Sequence, residues 1–586
     1  MKKPHQTERR HLAIKRRCGA CSQTISPGEQ VTALFEDVHR RFHIWYTKDF
    51  KFPELGHLSA STDCFYFCRR PSCAQCANGP DTTTVHVDCL AIFLAYSFKI
   101  RSIKVKEALF SLHTSDLYRD PWRQAPLLCL QEQAAFDTSV FHFFVSLYDI
   151  PQLRTLPAEI REMIRLSSPR TFFWRAVATI SAAYSVDLMA PETVHIRDIG
   201  HFNRGEPPIS RLHEFESAGP MIIRITIDSD GIRRLERLAE RPPSCSESST
   251  CLAYIVELEA AIPQKALLLG GRLKLDIPVS WNSLRIWDTP GPPIKHLHFS
   301  PRLTLRSQRI ETAIQYRTIN LTAISGITLF YSQGMPFGIF AHRIATSSAL
   351  RSYQHFSKLR QDTSIWIYLP IAAQDTVVCL VLRQTPRGRT NLLVRTRLCG
   401  DIILGPQLQP TQESKDYLLA AGASITMIYN ELPHYEQVNH IGAYCDTASS
   451  QDLQPFEMHT CEHSLETSAT YHSAAPLNSV TSITVFRHAD GACRGILLEY
   501  ENHGLRAVGE CRIGVDASDH YTEPTRICVG KHDSTALLHE QTHEHVHVAI
   551  DSCAGQHGIH EWDCYHMSGV LHFVFSKRSS LIFIAN

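Results

Sequence analysis

The sequence predicts a multidomain α+β protein: a small Cys/His module and a helical segment, then a predominantly antiparallel β C-terminal half of repeated hairpins. Three observations carry this prediction. Seven of the 19 cysteines fall between Cys18 and Cys89, mostly in short-spaced pairs. Apolar residues recur at helical spacing through the segment that follows. From Met221 the apolar pattern changes to period two, broken by turns rich in Gly and Pro.

At 586 residues the chain has room for roughly three or four domains. Hydrophobic residues at 44% and charged residues at 20% describe ordinary globular material. A net charge of +1 gives no whole-chain field, so a nucleic-acid partner is not expected. The longest apolar runs, Cys89–Phe98 and Ser568–Phe575, are shorter than the ~20 residues of a membrane span.

Residues 1–17 read as a basic tail, with Lys2, Lys3, Arg9, Arg10, Lys15, Arg16 and Arg17 and no apolar stretch of a secretory signal behind them. Beyond residue 90 the cysteines are scattered singly, which argues against an extracellular disulfide framework. The expected location is intracellular, in cytoplasm or nucleus. Arg9-Arg10 and Lys15-Arg16-Arg17 match a two-part nuclear localisation signal.

Residues 18–100 form the predicted metal module. Its candidate ligands are Cys18, Cys21, Cys64, Cys68, Cys73, Cys76, His86 and Cys89. Two thiolates, or a thiolate and an imidazole, separated by two residues can turn onto one tetrahedral ion, and zinc is the expected cofactor, structural, as one or two ions. Cys18-Gly-Ala-Cys21 reads as a tight knuckle, and Val31–Phe35 and Arg41–Tyr46 as short strands, with loop over 47–63. Thr82–Tyr96 reads as a short strand running into an apolar helix that starts with His86 and Cys89. A helix N-terminus favours thiolate over thiol. Knuckle, hairpin and ligand-bearing helix follow the logic of a treble-clef site.

Spacing leaves the grouping open. Cys73 and Cys76 with His86 and Cys89 make the most local set, with Cys18, Cys21, Cys64 and Cys68 as a second. A cross-braced arrangement, first pair with third and second with fourth, uses the same residues and resembles a RING finger loosely. A single site with spare cysteines is the remaining alternative.

Residues 101–190 are expected to be helical, with Ile103, Val105, Ala108, Leu109 and Leu112 at helical spacing and an aromatic-rich run over Phe136–Tyr148. Leu156-Pro157-Ala158-Glu159-Ile160 is a good helix start, with Pro157 and Glu159 placed where a first turn tolerates them. The stretch from Leu156 to Trp174 resembles the opening of an F-box, which implies a helix that docks a Skp-type adaptor. The plain alternative is an amphipathic helix that turns Leu156, Ile160, Met163 and Ile164 inward.

Two β-rich domains are expected over 215–410 and 411–586, the second with a His-rich loop. Met221–Ile227 reads as a strand with a turn at Asp228–Gly231, and residues 241–250 as an exposed insertion. Further strands are expected at Ile365–Pro370, Thr376–Arg383, Leu392–Arg397 and Ile402–Gly405. Gly326-Ile-Thr-Leu-Phe-Tyr331-Ser-Gln-Gly334 matches Gly495-Ile-Leu-Leu-Glu-Tyr500-Glu-Asn-His-Gly504 with one inserted residue. Each is a strand into a Gly-containing turn, and the order of features resembles jacalin-type β-prism repeats. That resemblance implies the fold; the Gly-x-x-x-Asp sugar-site loop of jacalin-like lectins has no counterpart here.

The chain is also similar to a widespread group of filamentous-fungal proteins, through Val85–Leu90, Ser473–Leu477, Ala492–Tyr500, Arg506–Gly514 and Trp562–Gly569. This similarity implies no activity.

His539-Glu540-Gln541-Thr542-His543 fits the zincin pattern, in which two histidines one helical turn apart bind zinc and the glutamate activates water. Among 32 histidines such a match arises easily by chance, and His543–Ala549 alternates like a strand. No phosphate loop, Gly-x-Ser-x-Gly elbow or dinucleotide fingerprint is present. The expected function is a non-catalytic binding or adaptor protein, in its concrete form a ubiquitin-ligase substrate adaptor. The alternatives are a carbohydrate-binding protein and, behind it, a metalloprotease using His539, Glu540 and His543.

Overall fold

Strand Gln30–Glu36 is the spine of the N-terminal module. It pairs antiparallel with Ile44–Tyr46, Phe50–Lys51 and Thr82–His86. The computed structural model of the chain describes residues 10–36, 43–54, 58–60, 65–70, 73–77, 79–123, 128, 130, 138–168, 171–185, 190–210, 221–244, 248–277, 284–293, 297–301, 303, 313–354, 356–408, 412–432, 437–445, 447–448, 454–456, 465, 469–533, 544–551 and 562–585. The chain divides into two compact units, one of Met1–Pro242, Ser249–Gly291 and Arg309–Gln315, the other of Pro243–Ser248, Pro292–Gln308 and Tyr316–Asn586.

In the first unit, Arg10–Ala13 runs parallel to Phe65–Cys68, which pairs antiparallel with Leu58–Ala60. The stretch 47–63, expected as loop, therefore supplies the strands Phe50–Lys51 and Leu58–Ala60, each too short to show a period. As expected, Thr82–His86 is a strand that leads straight into helix Val87–Arg101. That helix is apolar along most of its length because helices Val105–Leu117 and Phe172–Tyr184 both pack against it. It ends at Ser102, whose left-handed φ of 54° lets its N–H donate to Phe98 O at 2.9 Å. Leu12, Ile25, Val31, Leu34, Phe67, Val85, Phe93 and Leu109 form the module's core.

Helices Thr138–Leu147 and Phe172–Tyr184 share a second core of Val140, Phe141, Phe144, Trp174, Val177 and Ile180. Helix Ala158–Ser167 sits beside them the wrong way round for its sequence. Arg161 lies over the Phe141 ring at 5.3 Å, and Arg165 is buried while paired with Glu162 at 2.7 Å. Ile160, Met163 and Ile164 instead keep 40%, 61% and 36% of their surface exposed. The inward-facing alternative for these three side chains does not hold.

Beyond the helices, the first unit carries an antiparallel sheet of Ile209–Ser210, Ile199–Asn203, Gly231–Leu238, Ile222–Asp228, Ala253–Leu258 and Leu284–Trp287, in that order. A smaller sheet of Arg272–Leu275, Lys265–Leu269 and Glu192–His195 encloses with it a core of Phe202, Ile223, Ile225, Ile255 and Leu273. The turn at Asp228–Gly231 forms as its sequence predicts: Asp230 N–H donates to Asp228 Oδ1 at 2.8 Å, and Gly231 takes a φ of 100°.

The second unit is antiparallel throughout its described strand pairs and repeats one plan twice. In the first repeat, opening strand Ala313–Asn320 pairs with late strand Thr426–Leu432, which pairs with Gln437–Tyr444. The strands between form two more sheets, ordered Met335–His342, Gly326–Ser332, Ile365–Pro370 and Gly400–Leu404, Thr390–Thr396, Val377–Gln384, Lys415–Ala423. In the second repeat, Tyr471–Pro476 pairs with Val570–Phe575, which pairs with Ser580–Ala585. Its intervening sheets are ordered Leu505–Gly509, Cys493–Tyr500, Val480–Arg487, Ala517–Thr522 and Glu544–Ile550, Arg526–Asp533, Trp562–His566. One continuous apolar core, including Leu329, Leu382, Met427, Ile483, Ile496 and Phe573, serves both repeats.

The two matching sequence segments both form hairpins. Gln333 and Gly334 both take positive φ, 52° and 80°, the signature of a two-residue type I′ turn. Yet Gly326–Ser332 is the first strand of its sheet in chain order, whereas Cys493–Tyr500 is the second of its own. The likeness marks a shared hairpin, not an equivalent place in the repeat. Each buried tyrosine uses its hydroxyl alike: Tyr331 donates to Leu404 O at 3.1 Å and Tyr500 to Pro476 O at 2.9 Å. Within the second unit, Cys528 and Cys564 face each other on adjacent strands and are joined by a disulfide, with Cα atoms 4.1 Å apart.

Candidate metal centres

Two groups of four side chains converge in the N-terminal module. Cys18, Cys21, His86 and Cys89 form the first, and His11, Cys68, Cys73 and Cys76 the second. Within each group the ligand atoms lie within 4.8 Å of one another.

The first centre is built by a knuckle and a helix start. Ser22 N–H donates to Cys18 O and Cys18 N–H donates to Gln23 O, both at 2.9 Å, and Ser22 takes a left-handed φ of 65°. This tight loop points both cysteine side chains the same way. It is pressed onto strand Thr82–His86: Gly19 N–H donates to Thr84 O at 2.9 Å, and a Cβ on Gly19 would come within 2.3 Å of Thr83. Only glycine fits there. His86 caps helix Val87–Arg101 and Cys89 lies in its first turn, where the backbone dipole stabilises a thiolate. All four ligands are buried.

His86 Nδ1 faces the sulfurs of Cys21 at 3.6 Å and Cys89 at 3.7 Å. Its Nε2 lies 3.5 Å from Glu29 Oε2, longer than a hydrogen bond but close enough for the carboxylate to orient the ring. Burial pushes the Cys21 thiol well up, reinforced by the neighbouring sulfurs of Cys18 and Cys89. At Cys18 burial acts the same way but is outweighed by hydrogen bonds from Cys21 and Cys89, so its thiol is held low. The Arg175 guanidinium, ion-paired with Asp88, adds a positive charge next to Cys89. A cation at the centre of such a cluster resolves the competition among its sulfurs for one negative charge.

The second centre sits where Arg10–Ala13 meets Phe65–Cys68. Cys68 ends its strand opposite Ala13, Cys73 immediately precedes the short helix Ala74–Ala77, and Cys76 lies within it. His11 Nδ1 lies 3.7 Å from Cys73 Sγ. A hydrogen bond from Cys76 holds the Cys68 thiol down to about 5, and the same contact pushes Cys76 up. Cys73 and Cys76 are half-buried, so this centre is the more accessible.

The grouping is nested. The first pair joins the fourth, and Cys68 joins the third pair; neither the local nor the cross-braced set forms. Cys64 lies outside the described residues. Among the described residues His11 is the fourth member of the second group, and the only sequence trace of this is the short apolar alternation around Leu12, buried within a run whose basic charge dominates. Lys15 and Arg119 brace the knuckle from behind: Lys15 Nζ pairs with Asp120 at 2.7 Å and Asp116 at 3.4 Å, and Arg119 donates to Gly19 O at 2.9 Å.

His539, Glu540 and His543 also lie outside the described residues. The strand expected after them is present as Glu544–Ile550, with Val546, Val548 and Ile550 buried. No helix among the described residues is long and apolar enough to cross a membrane. Comparison with protein families and with curated proteins finds no match for the chain.

Proposed function

We propose that the protein is a non-catalytic adaptor. Two structural zinc ions hold its N-terminal module, helix Ala158–Ser167 docks a protein partner, and the β-rich unit selects cargo. Zinc suits both centres. With Zn–S near 2.3 Å and Zn–N near 2.0–2.1 Å, tetrahedral geometry sets sulfur and nitrogen about 3.6 Å apart. The observed separations are 3.6 and 3.7 Å. Three thiolates and an imidazole fill a tetrahedron and leave no open position for substrate, so the metal's role is to fix the fold. Knuckle, hairpin and helix around the first centre support a treble-clef reading. The three-sheet plan of each β repeat, with its opening strand joined to its late strands, supports a jacalin-like prism fold.

The observation that carries the adaptor reading is the inverted helix. A short helix that lays half-buried Arg161 over the Phe141 ring, buries Arg165 and presents Ile160, Met163 and Ile164 to solvent is poorly suited to packing its own protein and well suited to another. Its Leu156-Pro157-Ala158-Glu159-Ile160 start is the F-box-like segment, so the partner is a Skp-type adaptor and the assembly a ubiquitin ligase. Tagged full-length protein is expected to capture a Skp-type partner. Met163→Glu should weaken capture by roughly 30-fold or more, the scale of a central interface residue. Thermal stability should stay unchanged, because the side chain is exposed. Wild-type protein that captures no Skp-type partner would end this reading.

A further inference from the structure

A recess of about 140 Å³ in the second unit is lined by an unusual excess of cationic side chains. Arg494, Arg512 and Lys577 line it together with His488 and His545, and Glu510 is the one carboxylate among the lining residues. Glu510 is already committed: its Oε1 accepts from Trp366 N–H at 2.7 Å, and Arg512 and Arg494 reach its carboxylate at 3.1 and 3.4 Å. A second carboxylate, Asp516, lies 3.0 Å from Arg494 Nε without lining the recess. Asp490 and Asp362, the other acids nearby, are exposed to solvent. Three cations thus face two engaged carboxylates.

The donors left over point to a ligand. Arg512 Nε is buried without a hydrogen-bond partner. Lys577 is exposed at the mouth of the recess, where its Nζ donates to Ser364 O at 3.2 Å and keeps further N–H groups to offer. Ser580 Oγ accepts from Val546 N–H at 3.3 Å, which leaves its hydroxyl hydrogen to donate. The His488 and His545 rings lie 5.0 Å apart on the flank. Burial, with Arg494 and His545 close by, pushes His488 down to about 4, and burial, with Arg512 and Arg494 adding to it, lowers Lys577. A single water needs only about 10–15 Å³ of such space, so the recess has room for a four-oxygen anion.

We propose that this recess binds a small tetrahedral oxyanion, phosphate or sulfate, held by Lys577, Arg512 and the Ser580 hydroxyl. Neutralising the excess positive charge around the recess supplies the drive, and charge-assisted hydrogen bonds supply the geometry. Calorimetric titration of the full-length protein with sodium phosphate, at constant ionic strength in chloride, is expected to show one saturable site per chain, with sulfate competing. Lys577→Met should weaken binding about tenfold or more with an unchanged circular dichroism spectrum, and Lys577→Arg should retain it. Should Lys577→Met misfold, Ser580→Ala gives the same test through one neutral donor, with an expected loss of about threefold to tenfold. No saturable heat with either anion up to about 10 mM would overturn the proposal. So would wild-type affinity in the folded Lys577→Met or Ser580→Ala protein.

Discussion

Replacing Cys18 or Cys89 with serine is expected to empty the first centre and unfold the module around it, with bound zinc falling from two ions per chain to at most one. Both sulfurs are buried at the meeting point of the knuckle, strand Thr82–His86 and helix Val87–Arg101. Those elements pack over Ile25, Val31, Val85 and Phe93 and are fixed in place by the same ligand set. Structural zinc contributes on the order of 10–16 kcal/mol to folding in small modules, as large as the whole stability of a typical domain. Cys73→Ser with Cys76→Ser should remove the second ion at smaller cost, because those ligands are half-buried and their helix spans only Ala74–Ala77. The binding forms are thiolate and neutral imidazole, so acid should release both ions, and a chelator at neutral pH should do the same. Elemental analysis with circular dichroism checks all of this. A metal-free wild-type chain with an intact spectrum would mean that the cysteines cluster for another reason.

The parts of this site that sequence reveals are those encoded by neighbours. Cys18-x-x-Cys21 and His86-x-x-Cys89 are legible because ligand pairs and the strand-to-helix switch at His86 lie within a few residues of each other. The nested grouping is not, because it depends on strand Gln30–Glu36 bringing Thr82–His86 back beside the knuckle. His11 is hidden for the same reason: its role follows from the parallel pairing of Arg10–Ala13 with Phe65–Cys68, some 55 residues away in sequence. In the β half, Ile365–Pro370 and Gly326–Ser332 are legible as strands since their apolar runs are flanked by turn residues. Their place in a sheet is not, and the hairpins of Tyr331 and Tyr500 occupy different positions despite their likeness. Amphipathicity likewise gives helix Ala158–Ser167 but not its orientation. Which face turns inward is decided by the Phe141 ring that accepts Arg161, a contact with no local trace.

Glu510→Ala is expected to destabilise the second unit by about 3–5 kcal/mol, the usual cost of leaving buried cations without their partner. Glu510 is 5% exposed and accepts from Trp366 N–H, Arg512 and Arg494. Removing the carboxylate leaves the Arg512 guanidinium and a backbone donor without their partner and Arg494 with Asp516 alone. Part of the cost belongs to Arg512, whose guanidinium also stacks on Trp366 at 5.0 Å. The double change Glu510→Ala with Arg512→Ala should therefore cost clearly less than the sum of the single changes. The pH dependence has a definite sign. Burial alone would raise the Glu510 carboxyl, but Arg512, Arg494 and Lys577 outweigh it and hold it below the ordinary range. A carboxyl lowered by folding stabilises above its unfolded value of about 4.3, and that contribution disappears as pH falls through the lower folded value. Wild type and Glu510→Ala should thus differ most near neutral pH and converge in acid. Thermal unfolding across that range measures the gap; a gap that is constant with pH, or absent at pH 7, would show that the Glu510 charge does not hold this part of the fold.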